Sequence, residues 1–515
     1  MAGSRTLADG GPTLLGAAEL ERANGPWSTP EGLHKTNLLL RLGQSTPAQS
    51  WTIDALHYLA DWTSTDQVPQ ALIESGQLGR YGALDPSDGG NTSRDAITGE
   101  WKRALPDGFM QASAYAEHYR LRLWSDFTFY ELRQDQAPDP RLPSDQFEQA
   151  ESRNLVGASF ARGWNHTLLG HDSTTVLGVQ ARHDHIDLGL LDTQSRRPFA
   201  TVTNDHVRET SAAAYLENDT TWTATLRSVV GLRVDTLHMN VEAYATPQNS
   251  GQASAHKWSP KGTVIFGPWD RTEFFVSAGE GFHSNDARGV VDRIDPTTGE
   301  PSTRVPALAS AVGKEVGLRT EAWPGLQSSL ALWRLDSDSE IVYDADSDIG
   351  STSPNGASRR YGVEWNNHYT AGARWLFDAD LAWTHARYAR MNDNGDTGNR
   401  IPNAIPVVAR LGATWHPASD WSAAIDARYF SGYPLSQDGT LKAPSALVAN
   451  LRLQKELGDH VGLSLDVLNL FNRSYDDIAY QQDYKASPNG ATVPSGVTVH
   501  PGEPREFRLT LRWRH

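Results

Sequence analysis

Cysteine is absent from the 515-residue chain, and methionine occurs only four times. Without cysteine there are no disulfides, no thiolate metal ligands and no cysteine nucleophile. The few methionines also disfavour a soft copper site, because such sites use Met and Cys ligands. The net charge of −16 argues against a nucleic-acid-binding protein, which needs a basic patch. The composition therefore indicates an acidic chain without thiol chemistry and without a nucleic-acid partner.

Long apolar runs are also missing. Hydrophobic residues make up 38% of the chain and the mean hydropathy is −0.51. No stretch approaches the roughly 18–20 apolar residues that a membrane-spanning helix needs. The sequence thus excludes a helical membrane protein but not a membrane β-barrel, whose strands turn only half of their residues to lipid.

The catalytic motifs that a sequence can reveal are missing as well. There is no HExxH, GxSxG or GxGxxG pattern. Gly313-Lys314 is not a P-loop, because Leu308 stands where the first glycine belongs and Glu315 stands where Ser or Thr belongs. No pair of carboxylates can be singled out for acid–base chemistry. We therefore expect no enzymatic activity, no catalytic residue and no cofactor.

What the sequence does have is a period-two alternation of side chains. In the C-terminal segment 504–515, apolar side chains fall on one face of an extended strand and basic ones on the other. The apolar face comprises Phe507, Leu509, Leu511 and Trp513, and the polar face comprises Arg508, Thr510, Arg512 and Arg514. The alternation recurs at 359–366, 375–384, 407–415, 421–429, 447–454 and 461–467, and further strands are predicted at 14–27, 34–43, 108–124, 173–191, 207–222, 224–241 and 272–283. The pattern predicts about 20 β-strands.

Short and long connections alternate between these segments. The short turns lie at 323–325, 371–374, 416–420 and 457–460, and the long polar loops at roughly 284–313, 344–358, 389–405, 433–445 and 473–504. Outer-membrane barrels have short periplasmic turns and longer extracellular loops. We therefore predict an all-β fold, a transmembrane antiparallel β-barrel of about 20–22 strands, with the C-terminus in the periplasm.

The apolar face of such a barrel must point outward. A barrel of about 20 strands has a lumen too wide for side chains to fill, so an inward apolar face would have nothing to pack against. A cation that faces lipid at the midplane costs about 2–4 kcal/mol. Arg508, Arg512 and Arg514 are therefore predicted to face a wet interior. A soluble β-protein is the alternative, but it does not explain the alternation of loops.

Two polar segments have the composition of metal sites. His183, His185 and Asp187 fall on one strand face, with two imidazoles and a carboxylate. Because Leu177 and Val179 share that face, we favour solvated residues above the membrane, facing outward. The acidic stretch 336–350 carries Asp336, Asp338, Glu340, Asp344, Asp346 and Asp348. It lacks EF-hand spacing, so a solvated acidic loop is favoured over a calcium site, and no metal site is assigned.

Several motifs resemble those of TonB-dependent outer-membrane receptors. They are "GLRVD" (231–235), "KEVGLRTE" (314–321), "RRYGVEW" (359–365), "IPNAIPVVARL" (401–411), "DVLNLFNRSYD" (466–476) and "PGEPREFRLTLRW" (501–513). The resemblance covers essentially residues 1–515 as barrel. From this resemblance we expect the chain to lack the family's signal peptide, TonB-contacting box and plug, together with one or two opening strands, because residues 10–27 already look like a barrel strand. Arg514 and His515 follow Trp513, where family members usually end on an aromatic residue.

The resemblance implies a bacterial outer-membrane receptor for uptake of a scarce nutrient. A ferric siderophore or other metal complex is the expected ligand, with haem, cobalamin and oligosaccharides behind it. Membrane lipid and lipopolysaccharide are expected partners of a monomeric barrel, and TonB would act only through the missing N-terminal region. Apical loops of the family help to hold ligand, so His283, Asn285, Asp286 and Arg288 in "GEGFHSNDARG" are candidate ligand contacts, with ordinary loop polarity as the alternative. A plug-less porin-like channel or surface adhesin is the competing hypothesis.

Overall fold

The computed structural model describes residues 1–132, 143–296, 298–343, 352–389 and 398–514. Most of these residues lie in β-strands. Among them, no helix is long and apolar enough to cross a membrane.

One sheet of 21 strands dominates the structure. Its strands are β1 (Ala2–Thr6), β2 (Thr13–Ala23), β3 (Leu33–Ser45), β4 (Gln49–Thr63), β6 (Gly89–Leu105), β7 (Gly108–Ser125), β8 (Phe147–Leu168), β9 (His171–Gln194), β10 (Arg197–Thr223), β11 (Leu226–Ala243), β12 (Gly251–Trp269), β13 (Thr272–Ser284), β14 (Leu308–Thr320), β15 (Leu326–Ser337), β18 (Ser358–Ala371), β19 (Trp375–Tyr388), β20 (Val407–Ala418), β21 (Trp421–Phe430), β24 (Ala446–Leu457), β25 (Val461–Leu468) and β28 (Glu506–Trp513). Each strand pairs antiparallel with the next strand of the sheet along the chain. The predicted all-β, antiparallel barrel fold is confirmed.

Smaller elements lie in the connections. They are β5 (Val68–Pro69), β16 (Glu340–Tyr343), β17 (Thr352–Asn355), β22 (Tyr433–Pro434), β23 (Lys442–Ala443), β26 (Asp476–Tyr484), β27 (Val493–Pro501), the helices α1 (Gln70–Glu74) and α2 (Ala287–Val291), and a short 3-10 helix (Pro247–Asn249). β26, β27 and β5 form a three-stranded sheet, which joins connections that are far apart in sequence. The segment 473–504, predicted as a polar loop, is therefore partly a β-hairpin.

The two ends of the barrel differ in the length of their connections. At one end, which we call the short-turn end, the strands are joined by 46–48, 106–107, 169–170, 224–225, 270–271, 321–325, 372–374, 419–420 and 458–460. At the opposite, long-loop end, connections such as 64–88, 431–445 and 469–505 are much longer. The exception is 195–196, a tight turn between β9 and β10, which have 24 and 27 residues and are the longest strands. At this one place two long strands joined by a tight turn stand where the other strand pairs of this end have a longer loop.

The two faces of the sheet carry different side chains. On β9, Val179 is 51% exposed, whereas Asp184 on the opposite face is 3% exposed. We call the face of Val179 the outer face and that of Asp184 the luminal face. On the outer face an unbroken apolar row crosses seven strands: Leu318, Leu330, Trp365, Leu381, Ala409, Tyr429 and Leu447. Such a row matches the lipid-facing band of an outer-membrane barrel.

Aromatic residues mark the short-turn edge of this band. Trp375 stacks on Trp415 of the next strand with ring centroids 5.7 Å apart, and the exposed Trp421 follows on β21. Aromatic girdles occupy the lipid–water boundaries of outer-membrane barrels. We call the height of Trp375, Trp415 and Trp421 the tryptophan level and use it as a reference for the depth of other residues.

Candidate functional site

The luminal face of β6 to β9 carries arginines that are held by carboxylates of the same wall. The alternation of side chains along a strand explains why these arginines face the lumen. Because Val179 points outward, Arg182 and Asp184 on the same strand point into the lumen. The pairs are Arg94 Nη2 to Glu117 Oε2 at 2.5 Å, Arg153 Nε to Glu151 Oε1 at 2.7 Å, and Arg182 Nε and Nη2 to the two oxygens of Asp184, both at 2.7 Å. We call these residues the arginine wall.

A recess of about 630 Å³ lies between these pairs. Besides the arginines, Tyr115, Tyr119 and Leu155 line it. Each guanidinium carries five N–H donors, and a carboxylate partner uses only one or two of them. The recess thus combines donors for anionic oxygens with aromatic surface, which suits an anionic ligand with rings or several acidic oxygens.

Next to the arginine wall, the connection after β13 folds onto the luminal face. Asp286 directly precedes α2, and its side chain caps the helix by accepting from the backbone N–H of Arg288 at 2.8 Å. The apolar side of α2 packs against inward residues of β9 to β11. The cluster contains Ile186, Val207, Leu237, Met239, Val241, Ala287, Val290 and Val291. This apolar core fixes the segment that carries the predicted ligand contacts.

Asp286 and Arg288 form an ion pair in this segment. Arg288 donates to Asp286 through Nη2 at 2.7 Å and Nε at 3.1 Å, and its Nη1 lies 4.0 Å from Asp205 on β10. Burial raises the pKa of Asp286, but the charge and hydrogen bonds of Arg288 outweigh this and hold the pKa below its usual value. Burial, partly offset by Arg288, raises the pKa of Asp292 to about 6. Arg288 therefore ties the segment to the barrel wall.

Asn285 and His283 are placed differently. Asn285 is 4% exposed and its Nδ2 donates to the carbonyl of Pro306 at 2.7 Å. Asn285 Oδ1 and His283 Nε2 are buried without a hydrogen-bond partner among the described residues. The structure thus pairs two of the four predicted residues and does not gather all four into one cluster. Their contact with a ligand stays a prediction.

The histidine motif of β9 gains a member that the sequence reading missed. His183 contacts Thr210 at 2.8 Å, whereas His185 and Asp187 lie beside His206 of β10. His206 lies opposite Asp187 in the register of the hairpin. The tight turn at 195–196 would not have located it from the sequence, because two register shifts, at 198–200 and 201–203, bring His206 opposite Asp187.

The acidic stretch after β15 is paired with arginines where it is described. Asp336 accepts from Arg334 and Arg359, both at 2.7 Å, and Glu340 accepts from Arg360 at 2.8 Å. Asp344, Asp346 and Asp348 lie outside the described residues. The described part of the stretch is a network of ion pairs. That the stretch is a solvated acidic loop and not a calcium site stays a prediction.

Two carboxyls in the long-loop connections are fully buried and were not foreseen. Asp88 and Asp126 are each 1% exposed. Asp88 Oδ1 accepts from Gln146 Nε2 at 3.0 Å, and Asp126 Oδ1 accepts from the N–H of Phe129 at 2.9 Å. Burial and neighbouring carboxylates raise the pKa of Asp88, and burial raises that of Asp126, both well above the usual value.

Comparisons with known proteins point to one family. A family model described as "TonB dependent receptor-like, beta-barrel" matches residues 35–470. The metal-pseudopaline receptor CntO of Pseudomonas aeruginosa is 20% identical over 331 residues, which are 62% of this chain and 43% of CntO. The catecholate siderophore receptor Fiu of Escherichia coli is 28% identical over 182 residues, which are 35% of this chain and 22% of Fiu. The chain therefore matches less than half the length of either curated relative.

Solved structures share the fold of the whole chain. The siderophore receptor PiuA from Acinetobacter baumannii superimposes with a TM-score of 0.79 at 12% identity, covering 100% of this chain and 79% of PiuA. At this identity the likeness concerns the architecture alone.

Proposed function

Because the chain belongs to the TonB-dependent receptor-like β-barrel family, we propose that it forms the barrel wall of an outer-membrane receptor for a ferric siderophore or another metal chelate. The relatives support this ligand class by name, as receptors for metal-pseudopaline, catecholate siderophores and siderophores. As such a receptor, the barrel would sit as a monomer among lipid and lipopolysaccharide, and TonB would act on it through an N-terminal region.

The arginine wall is the observation that carries the proposal. Metal chelates of this class present carboxylate, catecholate or hydroxamate oxygens, and guanidinium groups bind such oxygens through charge-assisted hydrogen bonds. Each guanidinium is held in place by a carboxylate of the same wall and has further N–H donors with which to bind an anionic ligand. Tyr115 and Tyr119 add aromatic surface to the same recess.

Quenching of tryptophan fluorescence tests the proposal on the purified protein in detergent micelles. The probes are a ferric tris-catecholate, a ferric tris-hydroxamate and ferric citrate. We expect one of them to bind, and Arg153→Ala or Arg182→Ala to weaken its binding about tenfold or more, which corresponds to a lost charge-assisted hydrogen bond.

Arg227 provides the matched control. It makes the same kind of pair, with the two carboxylate oxygens of Asp219 at 2.8 Å and 2.5 Å, but it lies on β11 at the short-turn end of the barrel, outside the arginine wall. Arg227→Ala should leave chelate binding unchanged. If no probe binds and the protein conducts ions freely in planar bilayers, the passive-channel hypothesis is supported instead.

A further inference from the structure

We propose that His185, Asp187 and His206 form a binding site for a transition-metal dication such as Zn²⁺ on the outer face of the β9–β10 hairpin. Each residue offers one ligand atom, and the three atoms lie within 4.8 Å of one another. Two imidazoles and one carboxylate are a common ligand set for zinc, which takes water as its fourth ligand when three protein ligands are present.

The register of the hairpin fixes this arrangement. Asp187 lies directly opposite His206, and His185 is the diagonal neighbour two residues earlier on β9. The rings of His185 and His206 have centroids 4.2 Å apart. Side chains in directly opposed and diagonal positions on one sheet face are within contact distance. The site is therefore built on rigid strands.

The hydrogen bonds of His206 show which of its ring nitrogens faces Asp187. Its Nδ1 lies 2.8 Å from Asp187 Oδ1, and its Nε2 lies 3.1 Å from Nε of Arg208. A guanidinium only donates, so Nε2 must hold a lone pair and the ring proton sits on Nδ1. In the metal-free protein the ring proton therefore lies between Nδ1 and Asp187 Oδ1, and an ion shared by these two atoms takes the place of that proton, which moves to Nε2.

Arg208 is the competitor of the metal, because its N–H donated to Nε2 keeps the ring proton on Nδ1. Its Nη2 also donates to Glu242 of β11 at 2.8 Å. When a dication takes Nδ1 of His206 and the ring proton moves to Nε2, Arg208 keeps Glu242 as its partner and only the contact to His206 is lost. Arg208 therefore lowers the affinity of the site without blocking it.

The site is separate from the route through the lumen. His185 and Asp187 share the outer face with Val179, and the arginine wall faces the other way. Binding here joins β9 to β10, the longest hairpin of the barrel, which has only a two-residue turn at its tip. The inference is therefore independent of the proposed uptake function.

Calorimetric titration of untagged protein in detergent with Zn²⁺ tests the site. We expect one ion per chain, and His185→Gln or His206→Gln to weaken its binding about tenfold or more. His183→Gln is the matched control, because His183 lies on the same strand and face, and it should bind as the wild type does. Ca²⁺ should not compete, because it prefers oxygen ligands.

A variant that binds Zn²⁺ more tightly than the wild type cannot be explained by misfolding, so it distinguishes a metal site from a general loss of structure. Arg208→Met removes the competitor, so this variant should bind Zn²⁺ more tightly than the wild type. With Cu²⁺ as the probe, electron paramagnetic resonance should show coupling to two imidazole nitrogens, and to one after His206→Gln. Equal Zn²⁺ binding by the His206→Gln variant and the wild type, or an unchanged affinity after Arg208→Met, would overturn the proposal.

Discussion

An arginine placed on each face of one strand measures which face meets lipid. β21 offers two half-buried alanines three residues apart, Ala424 and Ala427. Ala427 lies opposite Leu411 on the outer face, whereas Ala424 lies opposite Arg452 on the luminal face. The substitutions Ala427→Arg and Ala424→Arg add the same side chain at two heights ~8 Å apart, both inside the apolar band.

The depth of residue 427 sets the expected cost. It lies six residues above Trp421 of the tryptophan level. At about 3.4 Å per residue and a tilt of about 40°, this is ~16 Å into an apolar band about 25 Å tall. An arginine at this depth should destabilise the protein by about 2–3 kcal/mol, since the cost at the midplane is about 2–4 kcal/mol. On the luminal face water solvates the charge, and we expect less than about 1 kcal/mol for Ala424→Arg.

Urea unfolding in lipid vesicles, followed by tryptophan fluorescence, compares the two variants. The unfolding midpoint of Ala427→Arg should fall clearly below that of Ala424→Arg at an unchanged slope. Equal losses for both, or a larger loss for Ala424→Arg, would refute the assignment of the faces. The apolar row on the outer face would then have to pack against protein.

Three further predictions concern the connections at the long-loop end. Because burial raises the pKa of Asp126, the folded state binds the proton of this carboxyl more tightly than the unfolded state does, so the free energy of unfolding falls as the pH rises from the usual carboxyl pKa through the raised one. In thermal unfolding curves, Asp126→Asn should flatten this fall. The same substitution at the exposed Asp9 should not flatten it. The pKa of Asp292 is raised to about 6, so the stability that the protonated carboxyl contributes is lost as the pH rises from about 4 through about 6. At pH 7.5, Asp292→Asn should therefore slow proteolysis within 285–296. Faster cleavage of this variant would contradict the prediction. Arg288→Met should speed that cleavage by weakening local stability about 1–3 kcal/mol, whereas Arg271→Met, which removes an ion pair with Glu321 at the short-turn end, should leave it unchanged.

Strands inside the apolar band were predictable because, in the proposed outer-membrane barrel, lipid on one face and water on the other enforce the alternation of side chains. β13 was predicted at 272–283 and runs from Thr272 to Ser284, and β7 was predicted at 108–124 and runs from Gly108 to Ser125. β10 was predicted at 207–222, but it begins ten residues earlier, at Arg197. Above the band both faces of a strand meet water, so the outer face becomes polar and the period-two signal ends.

Contacts between distant parts of the chain were not predictable from local patterns. The packing of α2 on the luminal face depends on apolar residues of three other strands, which the alternation had placed in a wet interior. Likewise, His206 joins His185 and Asp187 only through the register of the hairpin. A one-residue shift of register would turn His206 to the other face, and the sequence alone does not fix that register.

The β9–β10 hairpin shows how one strand serves two surroundings at the same height. Its outer face changes from Val179 to His183 within four residues. In the proposed outer-membrane barrel this change marks where the hydrocarbon ends, because imidazole and carboxylate groups would be costly within it. Its luminal face carries Arg182 and Asp184 at that same level. The recess and the histidine cluster are thus on opposite sides of a wall one strand thick. A metal ion that stiffens the outer side would hold Arg182 and Asp184 in register, so chelate affinity measured with and without Zn²⁺ reports whether the wall transmits that constraint.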